Sequence, residues 1–130
     1  PRQLSQGMRQ RVALARTFSL QSEHLFLDEP FGALDAQTKL VLQDKLLSLW
    51  ERFRSTVVLV THDLAEAVAL SDRVVVMSAR PGRIVADVAI DLPRPRSVHA
   101  LQSRREYHDI YGRLWQELER AAGASNGNAA

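Results

Sequence analysis

The apolar run Leu25-Phe26-Leu27 stops on two adjacent carboxylates, Asp28-Glu29, and Pro30 follows at once. An apolar run bounded by turn formers reads as a buried strand, and proline blocks its extension. A second run, Thr56-Val57-Val58-Leu59-Val60-Thr61, is β-branched without alternation, as expected of a strand covered on both faces. Between the two, Ala36 to about Phe53 repeats Leu42, Leu46, Leu49, Trp50 and Phe53 at helical spacing. Strand, helix and strand in that order specify an α/β fold with parallel core strands. Parallel neighbours end on the same rim, which is where open α/β sheets bind ligands.

Around this unit the chain offers a helix from Ser5 to about Leu20, with Ser5 as N-cap and Met8, Val12, Ala15 and Ser19 as the small face expected to pack. Asp28 to Asp35 reads as a turn-rich connection. Leu64 to about Leu70 is a short helix, and Arg73–Met77 with Arg83–Val88 flanks the turn residues Pro81 and Gly82, predicting a hairpin at a sheet edge. Pro93 and Pro95 make Asp91 to Ser97 a linker. Beyond it Tyr107, Ile110, Tyr111, Leu114, Trp115 and Leu118 form an amphipathic stripe, expected to bury itself within the chain. The small, polar stretch Gly123 to Ala130 reads as a disordered tail. The expected organisation is thus a domain over residues 1–92, a linker and C-terminal helix over 93–122, and a tail over 123–130.

Composition narrows the function classes. There is no cysteine, which excludes disulfides and thiolate metal sites. The 17 basic and 15 acidic residues are interspersed, so no basic footprint for nucleic acid is visible. No apolar stretch approaches the roughly 20 residues that span a bilayer.

Three constellations bear on chemistry. Asp28 at a strand end is suited to hold Mg²⁺ directly or through water, and Glu29 to orient and deprotonate a water attacking a phosphoryl group. The alternative is a strand end whose acids cap the next turn. Ser5-Gln6-Gly7 precedes a helix, where free N–H groups and the macrodipole favour an anion; an ordinary helix cap is the alternative. Thr61-His62-Asp63 ends the second strand, so His62 is expected near Asp28 and Glu29, unless it is simply a structural histidine.

Taken in order, these segments resemble the nucleotide-binding subunit of an ATP-binding cassette (ABC) transporter. Leu4-Ser5-Gln6-Gly7-Met8 is similar to the family signature, and Leu25 to Asp28 with Glu29 is similar to its Walker B strand and catalytic glutamate. Ala33-Leu34-Asp35 resembles its D-loop and Thr61-His62-Asp63 its switch-histidine loop, the likeness covering about Pro1 to Pro95. The resemblance implies the C-terminal part of a P-loop ATPase fold, with ATP and Mg²⁺ held between two facing subunits. It implies that Asp28 helps hold Mg²⁺, Glu29 is the general base, and His62 meets the γ-phosphate and the attacking water. Ser5, Gln6 and Gly7 serve the ATP of the partner subunit, and Ala33, Leu34 and Asp35 lie at the dimer interface. The implied partners are a second nucleotide-binding subunit, a transmembrane permease and, indirectly, a periplasmic solute-binding protein, at the cytoplasmic face of a bacterial inner membrane, with no nucleic acid.

The signature departs from the common Leu-Ser-Gly-Gly-Gln at Gln6 and Met8. Met8, the stretch Met8 to Ala15 and the run Arg80-Pro81-Gly82-Arg83-Ile84 resemble the branch that imports nitrate, sulfonates and taurine. No Gly-x-x-x-x-Gly-Lys-Ser/Thr phosphate loop occurs in the sequence, which reads as the C-terminal portion of a longer subunit and as inactive by itself. A soluble, non-transport ABC ATPase and a non-catalytic fragment that supplies only the signature side of a dimer are the competing expectations.

Overall fold

A computed structural model describes residues 5–127, with side chains through Gly123. The elements run α1 (Gln6–Ser19), β1 (His24–Asp28), α2 (Ala36–Phe53), β2 (Thr56–Val60), α3 (Leu64–Leu70), β3 (Arg73–Met77), β4 (Ile84–Ala89), α4 (Val98–Leu101) and α5 (Arg105–Gly127). The chain is mixed α/β, as expected, and divides into two compact units.

The first unit comprises the residues through His62 together with Arg94–Leu101. Its strands β1 and β2 pair in parallel with His24 opposite Thr56 and Asp28 opposite Val60, so both strands end level. Helix α2 makes the crossover. Asp35 caps its start by accepting the Thr38 N–H, and Arg54 at φ 55° ends it in the left-handed conformation. The core of this unit includes Leu14, Phe18, Leu25, Leu27, Leu42 and Leu46, with the rings of Phe18 and Phe53 6.0 Å apart.

Two expectations about this core are corrected. The sheet is covered on one face only: Leu25 and Leu27 are buried, while Phe26 is 78% exposed and Val58 and Val60 also face outward. Successive side chains alternate between faces, and among the described residues nothing covers the second face, so uniformly apolar strands become half exposed. On α1 the expected face Met8, Val12, Ala15 and Ser19 is exposed, and Leu14 and Phe18 are buried instead. Two large side chains four residues apart lie one above the other on a helix and present more apolar area than the small face.

The second unit comprises Asp63–Pro93 and the residues from Gln102 onward. Strands β3 and β4 form the expected antiparallel hairpin, in a two-stranded sheet of its own, with Arg73 and Asp87 ion-paired across it. Helix α5 packs on α3, β3 and β4 of this unit and buries Tyr107, Ile110 and Leu114. Trp115 is exposed, stacked at 6.5 Å on Tyr111. The helix continues to Gly127, past Gly123 where the tail was expected to begin; the last three residues lie outside the described part, as does Leu4.

The proline-flanked segment is no loose linker. Asp44 of α2 accepts the Val98 N–H at 2.6 Å and so starts α4, and Arg94 lies over the Trp50 ring at 4.3 Å. Proline prevents this segment from entering helix or sheet, which leaves side chains to anchor it.

Candidate functional site at the ends of the parallel strands

The level ends of β1 and β2 bring Glu29 and His62 together. One Glu29 oxygen, Oε1, accepts the His62 backbone N–H at 3.0 Å and lies 2.8 Å from His62 Nδ1. An ionised carboxylate only accepts hydrogen bonds, so in this pair Nδ1 carries the proton and Nε2 is the outward nitrogen. The imidazole is 85% exposed and the Glu29 side chain 38%, leaving both open to a ligand. Oε2 is the second acceptor of the same carboxylate.

The backbone places Glu29 with some force. Its φ is 46°, a region that non-glycine residues adopt at a cost, and its N–H donates to Val60 O at 2.8 Å while its carbonyl accepts from Gly32 at 3.2 Å. Ala33, at φ 65°, is the second left-handed residue of the connection. Phe31, fully buried between them, pins the loop to the core. Sequence reading treated Phe31 as part of a turn; a large aromatic beside Pro30 was the available signal of an anchor.

Asp28 ends β1 with an exposed side chain. Among the described residues no three His, Asp or Glu groups gather to hold a metal ion. A single carboxylate nevertheless fits Mg²⁺, which commonly takes one or two carboxylates and fills its remaining positions with water and substrate phosphates.

The other predicted residues line a separate, open cavity of about 350 Å³ in the same unit. Ser5, Gln6, Gly7, Met8 and Arg11 form one wall; Ala33, Leu34, Asp35 and Thr38 form the other. Ser5 caps α1 by accepting the Met8 N–H at 3.3 Å, and Asp35 accepts the Thr38 N–H at 2.9 Å and its hydroxyl at 2.6 Å. Arg11 and Thr38 were not singled out in the sequence, although Thr38 stands three residues after the capping aspartate.

These bonds favour the charged form of Asp35, so the Thr38 hydroxyl first and the Thr38 N–H second hold its carboxyl below the ordinary aspartate value. A depressed native pKa contributes stability that is present above the unfolded value and is lost as pH falls through the native one. Titrated by NMR, Asp35 is expected to protonate below pH 3.8 and to move upward toward it in Thr38→Val. An unchanged Asp35 midpoint in the variant would remove the hydroxyl as the cause.

Comparison with known proteins bears on this arrangement. The ABC transporter family model matches residues 1–32. An ATP-binding protein of Brucella melitensis is 50% identical over 118 residues, which is 91% of this chain and 49% of that protein. An ABC transporter ATP-binding protein of Methanocaldococcus jannaschii is 54% identical, over 85% of this chain and 42% of that protein. An aliphatic sulfonates import ATP-binding protein of Bacillus cereus is 45% identical, over 92% and 46%. The chain spans about half the length of the curated relatives it matches. With its motifs in the family's order along this span, the chain is similar to the ABC transporter ATP-binding proteins.

Proposed function

We propose that the chain supplies the hydrolytic end of one ATP site and the signature side of another, in a subunit that drives import of a small sulfonate-like solute through a membrane permease. The observation that carries this reading is the Glu29–His62 pair, a carboxylate held by two contacts at the rim where parallel strands end. Glu29 accepts the proton of the attacking water on Oε2, while the His62 contacts keep Oε1 fixed. His62 Nε2 then faces the phosphate. Asp28 would hold Mg²⁺, which when bound with nucleotide offsets phosphate charge.

Ser5 and Gly7 serve the ATP of a second subunit, and Ala33, Leu34 and Asp35 face that subunit. The likeness to an aliphatic sulfonates import protein supports the solute class, and nitrate and taurine are the other solutes of the branch that the signature resembles. Such a subunit works at the cytoplasmic face of a bacterial membrane, with the permease and indirectly a periplasmic binding protein; no helix among the described residues is long and apolar enough to cross a membrane.

The bare apolar face of Phe26, Val58 and Val60, and relatives of which the chain covers about half, support reading the chain as part of a longer subunit whose other residues cover the sheet and complete the site. The 130-residue chain alone is therefore expected to show no ATPase activity above a Glu29→Gln control. Phosphate release by the isolated chain that exceeds the control would overturn that expectation. A full-length subunit containing this chain is expected to hydrolyse ATP faster when reconstituted with its permease and solute; nucleic acid stimulating it instead would favour the soluble class.

A further inference from the structure

Gly7 stands in the first turn of α1 with no left-handed conformation to justify it, since no described glycine has positive φ. Ordinary helical residues fit that backbone, and glycine is a poor choice for a helix. A steric constraint is visible here: a Cβ at Gly7 would lie 2.8 Å from Thr38 Cγ2. That methyl is not free to swing aside. Thr38 is β-branched, and its hydroxyl is committed to Asp35 Oδ2 at 2.6 Å, while its N–H binds Oδ1 of the same carboxylate. Rotation about its Cα–Cβ bond would break the hydroxyl contact.

We propose that Thr38 is a positioning residue for ATP hydrolysis, its methyl occupying the space of the absent Gly7 side chain while its polar groups hold Asp35. The signature turn and the Asp35 loop then form one rigid joint across the cavity they share. Both walls keep a fixed spacing, so a ligand or second subunit meeting Ser5 and Gly7 also meets Asp35 in register. This rests on the reading that these two walls face a second subunit's ATP. Packing density explains why the joint is stiff: an added methylene in a filled space forces neighbours off their rotamers.

A size-exchange cycle tests the joint in a full-length subunit containing this chain. Gly7→Ala, Thr38→Ser and the double variant are compared by amide hydrogen exchange over residues 5–8 and 35–38, and by kcat/KM for ATP. Gly7→Ala is expected to raise exchange in both segments and to lower kcat/KM by about tenfold. Serine keeps the hydroxyl but lacks the methyl, so the double variant is expected to return to within about threefold of Thr38→Ser in both measurements. If Gly7→Ala disturbs exchange equally in the Thr38→Ser background, the joint does not exist. If exchange recovers but kcat/KM stays at the Gly7→Ala level, Thr38 does not position the site and Gly7 is required by the ligand alone. A wild-type subunit without ATPase activity would defeat the transport reading, while the exchange comparison would still decide the joint.

Discussion

In a full-length subunit containing this chain, Glu29→Gln is expected to lower ATP turnover by two to four orders of magnitude, on the order of what a positioned general base supplies. Glutamine keeps the carbonyl oxygen that accepts the His62 N–H, so the loop geometry is retained. What is lost is the second carboxylate oxygen as a proton acceptor, since the amide has no basic site at that position. ATP binding is expected to survive, and ATP-bound dimers to persist longer than in wild type. Turnover within about threefold of wild type would remove Glu29 from the role of base. A matching loss in Glu29→Asp would show that reach, and not basicity alone, matters, because the shorter side chain cannot hold His62 from the same backbone position.

Phe31→Ala is expected to destabilise the fold by about 3–5 kcal/mol, the range for removing a fully buried aromatic. Phe31 is 0% exposed, and its loop contains Glu29 at φ 46° and Ala33 at φ 65°. Left-handed residues persist only where their surroundings hold them, and the Phe31 ring is the largest buried group in that stretch. Such a loss is a large part of the roughly 5–15 kcal/mol that stabilises a typical domain. Urea denaturation of wild type and variant reads the difference directly. A change below about 1 kcal/mol would show that the loop is held by its backbone hydrogen bonds instead.

The placement of Glu29 beside His62 at the strand ends was legible in the sequence. The motif order from Ser5 through His62 placed the acids and the histidine at the ends of parallel strands, because a strand–helix–strand sequence admits few other arrangements. Ser5 was read as the cap of α1, as found, whereas Asp35 and Asp63, which cap α2 and α3, were not read as caps. Other features were not legible. The α1 face was misread because Met8 and Val12 are apolar in isolation, and only the neighbours show that Leu14 and Phe18 face the core. The segment around Pro95 looked like a linker because proline excludes regular structure, yet Asp44, some fifty residues earlier, caps α4. Contacts so far apart along the chain leave no local periodicity to read.

The sequence by itself determined the α/β class, the crossover, the Ser5 cap and the chemical identity of Asp28, Glu29 and His62, because propensity, hydrophobic period and turn chemistry act over a few residues. Tertiary structure alone decided that Glu29 and His62 share a hydrogen bond, that Phe31 anchors the loop, and that Thr38 fills the space beside Gly7. Those facts depend on distances between segments, set by packing and by the register of two strands, which no single stretch of sequence encodes.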